Sequence, residues 1–481
     1  EAYLAEQQRQ QREKGLRNWR IQPDRYRDEL QKVKAYIATH NVYGVDLNPT
    51  AIELGKLSLW LNVIHKDMET PFFANRLALG NAVIGAWLKV YSKQDVYAII
   101  ERQGAKPKVN KWWERAPHKV KFFSNRVNRS VNEVYHFLLP DANMLGVRSI
   151  KEQKKAHANE DKHMVAILKD WTAPIVDADF KTLQRISSKI DVLLKEYFSD
   201  QISIDKYTNN RKEIWDGIDH SASDSLFKAE EQAESYAQKQ QLFDTRYRHD
   251  NAYRKLKLTM DYWCALWFWE YEDAAGLPTR EEYWGDIEAL LDVDNSQLDT
   301  KTRQALERVG SNVVSEDMPE YDGRMTEDES QIVTKTQEEI LTSSHAQVSL
   351  FADDEPLRLK IADRLSKRYH FFHPMLEFIE VFWLREGFDI ICGNPPWLKL
   401  EFDEQGILSE KYPEVAIRKV SAPDARKMRD QMFEQIPSTE ELYRSEEIDT
   451  ACSSKFMSAY CNYPLLVGQH TNLYKCVLEN C

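Results

Sequence analysis

The sequence predicts an α/β fold in which a partial sheet of the doubly wound kind is interrupted by a large helical insertion. Three observations carry this reading. A short β-rich run, Val42-Tyr43-Gly44-Val45-Asp46-Leu47, passes at once into Asn48-Pro49 and a helical pattern, and strand followed directly by helix is the repeating unit of doubly wound folds. A second run, Phe388-Asp389-Ile390-Ile391-Cys392-Gly393, has the pattern of a buried strand and lies near the other end of the chain. Between the two, from about 91 to 368, hydrophobic periodicity is almost entirely helical.

Residues 1–40 are rich in Gln, Arg and Glu and helical in character, ending in the periodic residues Leu30, Val33 and Ile37. After the first strand, Asn48 is a helix cap and Pro49 suits the first helical position, where its missing N–H costs nothing. The helix that follows carries Leu54, Leu57, Leu61 and Ile64 on one face. Leu77-Ala78-Leu79-Gly80-Asn81-Ala82-Val83-Ile84-Gly85 reads as strand and loop. Within the insertion, Trp263, Trp267, Phe268 and Trp269 lie in an aromatic-rich stretch, and a buried helix is favoured there over a base-stacking platform. From about 310 to 355 the chain is acidic, rich in Ser, Thr and Gln, and poor in large apolar residues, the composition of a mobile linker.

Composition limits the function classes. At 481 residues the chain has room for two or three domains. No window approaches a membrane span and no signal segment is present, so a soluble, cytoplasmic protein is expected. With Glu1 in place of an initiator Met, the chain is expected to begin inside a longer protein. Six cysteines without short paired spacing read as free thiols in a reducing compartment. A net charge of −12 argues against one large polyanion-binding surface but allows a local basic groove. The basic and aromatic run Lys106, Lys108, Lys111, Trp112, Trp113, Arg115, His118, Lys119, Lys121, Phe122, Phe123, Arg126 and Arg129 is the candidate for such a groove. An ordinary solvated face with a few core aromatics is the favoured alternative.

The second strand runs into Asn394-Pro395-Pro396-Trp397. An exocyclic amine on a purine or pyrimidine is a poor nucleophile because its lone pair is delocalised into the ring. Two acceptors held rigidly, Asn394 Oδ1 and the Pro395 carbonyl on a stiff Pro-Pro backbone, can take both amino hydrogens while Trp397 stacks on the base face. The plain alternative is a strand ending in a Pro-Pro turn with Trp397 packed nearby. Asp46 likewise has two readings: a carboxylate that accepts from both hydroxyls of a nucleoside ribose, or a turn aspartate at a strand end.

Taken in order, the segments Gly44-Val45-Asp46-Leu47-Asn48-Pro49, Leu79-Gly80-Asn81-Ala82-Val83-Ile84-Gly85 and 388–397 resemble those of adenine-specific (N6) DNA methyltransferases. The likeness is nearest to the large bacterial enzymes of restriction-modification and of BREX or DISARM phage defence. It implies a Rossmann-like sheet that binds S-adenosyl-L-methionine, and double-stranded DNA from which an adenine is flipped; restriction or defence subunits are further possible partners. The catalytic residues would be Asn394, Pro395, Pro396 and Trp397. The cofactor-binding residues would be Asp46 and Leu47 at the ribose, Asn81, Ala82 and Val83 at the cofactor adenine, and Tyr474 on a helix following the catalytic loop. The chemistry asks for no metal, so His370 and His373 are expected to be hydrogen-bonded structural histidines. The implied domains are 1–90, the first part of the methyltransferase; 91–368, a mainly helical insertion; and 369–481, the part with the catalytic loop. The family's glycine-rich loop and target-recognition domain are not found, so the chain is expected to be an internal fragment of doubtful activity. Competing readings are a protein glutamine N5-methyltransferase, a cytosine N4 enzyme, and a non-catalytic scaffold that binds DNA or a partner.

Overall fold

The computed structural model describes residues 26–64, 70–99, 106–123, 126–208, 236–248, 251–292, 356–417, 422–470 and 472–481. The expected linker at 310–355 and the first 25 residues lie outside these. Along the chain run α1 (Tyr26–His40), β1 (Gly44–Asp46), α2 (Pro49–Val63), β2 (Leu77–Leu79), β3 (Lys89–Ser92), β4 (His118–Lys119), β5 (Lys121–Phe123), β6 (Arg126–Asn128) and β7 (Glu133–Tyr135). There follow α3 (Ala158–Trp171), α4 (Asp177–Thr208), α5 (Tyr236–Asp244), α6 (Ala252–Ala265), α7 (Arg280–Asp292), α8 (Leu357–Tyr369), α9 (Ile379–Arg385), α10 (Ala422–Gln435), α11 (Pro437–Met457) and α12 (Leu473–Asn480), with short helical turns between some of them. Among the described residues no helix is long and apolar enough to cross a membrane.

The chain divides into two compact units, and the division differs from the expected domains. One unit takes residues 1–80, 196–254 and 294–350; the other takes 81–195, 255–293 and 351–481. The presumed insertion is therefore shared between both.

In the first unit β1 and β2 pair in parallel, with Gly44 opposite Leu77 and Asp46 opposite Leu79. Asn48 caps α2 through its side-chain oxygen, which accepts from Thr50 N at 2.9 Å, and Pro49 occupies the first turn. In the α1–α2 contact the alanines Ala35 and Ala38 of α1 cluster with Val63 of α2 and with Phe73 beyond it, and Leu59 and Trp60 pack against them. The periodic faces stand elsewhere: Leu30 and Ile37 of α1 are exposed, as are Leu54, Leu57, Leu61 and Ile64 along and just beyond α2. Alanines let the two helix backbones approach closely, and that contact set the buried side in place of the leucines. A second apolar patch joins Phe72, Ile204 and Phe243. Beside it Asp205 is buried and accepts from Asn75 Nδ2 at 2.7 Å and from Gln201 Nε2 at 3.3 Å. Burial pushes the Asp205 carboxyl up, against the pull of Arg76 at 3.8 Å.

In the second unit β3 is the middle strand of an antiparallel sheet, flanked by β4 and β7, and β5 and β6 form a separate hairpin. These strands fall in the stretch expected to be helical. At two to four residues each they are shorter than the window over which periodicity is legible, and their exposed positions carry charge, as in Lys121-Phe122-Phe123. Helix takes over only beyond residue 150. The core is aromatic: Trp171, Trp263, Trp267, Trp269, Tyr135, Tyr262 and Tyr283 are fully buried. Most of their polar ends are matched, Trp263 Nε1 donating to the Leu139 carbonyl at 3.2 Å and Tyr283 OH to the Phe137 carbonyl at 2.7 Å. The Trp263 region is thus a buried helix, not a stacking platform. All six cysteines are free thiols.

The expected strand at 388–393 is not formed. Ile390 is 81% exposed, and no described strand pairs with this segment. A strand is stabilised by ladder hydrogen bonds and cross-strand side chains, and no described edge offers them here. The parallel part of the fold is the β1–β2 pair. The described residues form a mixed α/β structure, mainly helical with small sheets, and not the wider Rossmann-like sheet that the resemblance implies.

Candidate active site

The 388–397 segment emerges from α9 through a sharp change of direction. Glu386 and Gly387 both take positive φ, 63° and 151°, and Phe388 then packs edge-on against Phe378 and Phe382. Beyond it the chain is open to solvent as far as Leu398. Within the motif, Trp397 Nε1 donates to Asn394 Oδ1 at 3.4 Å. This is a long, weak bond that leaves the oxygen available to a better donor. No described donor meets the Pro395 carbonyl.

The α12 helix brings the motif and the 81–86 loop into one unit. At its start Asn472 caps the helix, accepting from Tyr474 N at 3.3 Å, and Leu473 N donates to the Leu398 carbonyl at 3.1 Å. Tyr474 then stacks on Trp397, ring centroids 4.9 Å apart at 26°. Trp397 remains 73% exposed, so one indole face is backed by Tyr474 and much of the rest is open. Toward the other end of α12, Asn480 Nδ2 donates to the Ala82 carbonyl at 3.1 Å and to Tyr463 OH, which itself donates to the Val83 carbonyl at 2.6 Å. Tyr474 and Asn480 are six residues apart, or about 9 Å of helix rise. Asn394 and Tyr474 therefore each meet Trp397, and the far end of the same helix holds Ala82 directly and Val83 through Tyr463.

The 81–86 loop is fastened on its other side as well. Asn81 N donates to the His370 carbonyl at 2.7 Å, Phe372 N to the Ile84 carbonyl at 3.0 Å, and Asn81 Oδ1 accepts from Val83 N at 3.1 Å. A Cβ on Gly85 would stand 1.5 Å from the Phe372 carbonyl oxygen, so only glycine allows this approach. Ala86 N donates to His373 Nδ1 at 2.9 Å, which places the ring proton on Nε2, where it is donated to Asp261 Oδ1 at 2.8 Å. Lys257 Nζ completes the chain, 2.9 Å from Asp261 Oδ2. Burial acts to raise the Asp261 carboxyl, but Lys257 and His373 outweigh it and hold the group below its usual range. His373 is thus a hydrogen-bonded structural histidine. His370 differs: its Nδ1 is buried without a partner among the described residues, and burial and the Lys257 ammonium both push its imidazole down. Among the described residues no group of three or more His, Cys, Asp or Glu side chains could hold a metal.

Asp46 and Leu47 belong to the first unit, where both are exposed. Asp46 Oδ1 accepts from Asn48 N at 2.7 Å, leaving Oδ2 without a described partner. The Lys257–Asp261–His373 chain and the Tyr463–Asn480 pair were not singled out from sequence. Lys257 and Asp261 stand at i, i+4 on one helix and so were readable as a pair, but nothing local ties them to His373. The basic run is largely spent internally. Trp112 and Phe122 are buried, Arg115 pairs with Asp95, Lys111 with Glu114, Arg129 with Asp191 and His118 with Glu133. A cleft of about 610 Å³ lies elsewhere in the second unit, beside Glu152, Phe402, Glu404, Arg429 and Tyr443. Its charges largely satisfy one another, Arg429 lying 3.4 Å from Glu152 and 3.5 Å from Glu404, and no residue of the motif lines it.

One helix thus ties the proline-braced Asn-Pro-Pro-Trp loop to the 81–86 loop. A sequence model of the Eco57I restriction-modification methylase family matches residues 40–422, and the chain belongs to that family. It is a DNA methyltransferase of the restriction-modification type. The match takes in Asp46, Asn81 and the motif, and stops before Tyr474. No curated protein and no solved structure matches.

Proposed function

We propose that this chain methylates N6 of an adenine flipped from double-stranded DNA, with S-adenosyl-L-methionine as donor. The observation that carries the reading is the exposed motif itself: a largely open Trp397 backed by Tyr474, beside an Asn394 oxygen and a Pro395 carbonyl with no strong partner of their own. A flipped adenine stacks on the open face of Trp397. Its amine gives one hydrogen to Asn394 Oδ1 and the other to the Pro395 carbonyl. Both bonds favour a pyramidal nitrogen and so localise the lone pair for attack. Pro396 stiffens the turn, and positioning supplies most of the rate. The amine proton leaves after the methyl arrives, so no general base is required.

The donor, when bound, supplies a sulfonium methyl as electrophile. Within the second unit, Asn81, its oxygen engaged by Val83, would keep an amide NH₂ to donate to a purine ring nitrogen of the donor. Ala82 and Val83 would supply apolar and backbone contact to it. Membership in a DNA-methylating family removes glutamine side chains as the substrate.

The test is incubation with a duplex containing adenine and cytosine and the labelled donor, then mass spectrometry of the digested nucleosides. N6-methyladenine is expected; N4-methylcytosine would overturn the assignment. One observation favours a second reading, the non-catalytic scaffold: the 388–393 segment has no described strand beside it. Calorimetry with the donor separates the two, because absence of heat at high donor concentration supports the scaffold.

A further inference from the structure

From Arg115 to Asn132 the sequence contains no Asp or Glu, yet five Lys or Arg, in a chain of net charge −12. The structure sorts these charges. Arg115 and Arg129 are neutralised by Asp95 and Asp191, and His118 faces Glu133 at 3.3 Å. Lys119, Lys121 and Arg126 have no ion pair among the described residues; Lys119 rests 4.0 Å above the Trp87 ring.

These three share one face. Along 119–123 exposure alternates, with Val120 and Phe122 buried and Lys119, Lys121 and Phe123 exposed. In the hairpin Lys121 pairs with Asn128 and Phe123 with Arg126, so Arg126 and Asn128 extend the same outward face. Phe123 is 67% exposed between the two cations. The inward face is anchored: Phe122 stacks on Trp383 of α9, the helix that leads into the catalytic segment, at 4.5 Å and 21°. The hairpin is thus seated on the helix that runs directly into the 388–397 segment.

We infer that the outward face of the β5–β6 hairpin docks on the phosphate backbone of the duplex flanking the target base. Lys119, Lys121 and Arg126 contact phosphates, and the Phe123 ring lies against the sugars. Same-face side chains on a strand are about 6.8 Å apart, twice the 3.4 Å rise per phosphate along one DNA strand. The inference rests on the DNA-acting reading of the site, and its contacts carry no sequence information.

The test is fluorescence anisotropy on a labelled mixed-sequence duplex over a salt series, comparing the unaltered protein with K121Q/R126Q and with F123A. The charge variant is expected to bind about tenfold more weakly or worse, with the slope of log affinity against log salt shallower by about two. F123A is expected to weaken binding with the slope kept. Calorimetric binding of S-adenosyl-L-methionine should be the same in all three. Affinity and slope equal to those of the unaltered protein in K121Q/R126Q would overturn the inference, as would failure of the unaltered protein to bind duplex. If adenine is methylated while the hairpin variants bind normally, this surface is wrong and the proposed function stands. If the variants lose DNA but no N6-methyladenine is made, the reverse holds.

Discussion

The 388–397 segment and the 81–86 loop carry most of the candidate functional residues, and they are built in opposite ways. The first is open to solvent, and beyond Phe388 its fastening comes from one ring stack and a few bonds around Leu398 and Lys399. The second is fastened from two sides, by Asn480 and Tyr463 on one and by His370, Phe372 and the buried His373–Asp261–Lys257 chain on the other. The difference fits the two roles proposed for these loops. A loop that must admit a large planar base keeps few contacts of its own, whereas a loop that presents backbone and amide groups in fixed directions is over-determined by its neighbours.

Substitutions can break this contrast. The largest effect on stability is expected from Asp261→Ala, which removes from a buried site the carboxylate that accepts from Lys257 and from His373 Nε2; the loss should be roughly 3–5 kcal/mol in denaturant unfolding. A loss below about 1 kcal/mol would mean that the 81–86 loop is not held from this side. Asn394→Ala should act the other way. Methyl transfer should fall by roughly 10²–10³-fold or more, the scale of removing one group that stabilises charge change at the reacting atom. Its unfolding free energy should stay within about 0.5 kcal/mol, because the side chain is exposed. Unchanged transfer would remove Asn394 from the site.

A smaller, pH-dependent effect sharpens the picture of the core of the second unit. Burial pushes Asp141 up to about 6, against two hydrogen bonds from Asn143 and one from the Cys461 thiol. The folded protein then keeps a proton that the unfolded chain releases above its ordinary value of 3.8. The resulting stability is fully present below about pH 4 and is lost as pH rises through about 6, a change on the order of 2–3 kcal/mol. Unfolding free energies measured across that window should fall with pH, and Asp141→Asn should flatten the fall. An equal slope in the variant would assign it to other groups.

Legibility followed the range of the interactions. Asn48 and Pro49 were readable as a helix start because a cap is made by neighbours in sequence, and the observed bond from Thr50 N is such a contact. The stretch from Met260 to Trp269 was readable as core because no surface easily accommodates so many large rings. Lys121-Phe122-Phe123 was missed as a strand because three residues give no period. The leucine face of α2 was misleading for a related reason. Periodicity says that a helix has an apolar side, but the α1 contact made through Ala35 and Ala38 chose which side was buried.

The sequence by itself determined the chemistry on offer: an Asn-Pro-Pro-Trp loop whose acceptors and ring suit a planar amine, an acid at a strand end, and a glycine at position 85. Each depends on residue types within a few positions of one another, where covalent geometry limits the outcome. Only the tertiary structure decided that Tyr474 backs Trp397, that one helix spans from the motif to the 81–86 loop, and that His373 works through Asp261. Those pairings join residues scores to hundreds of positions apart. Burial and packing choose such partners, and no local pattern encodes them.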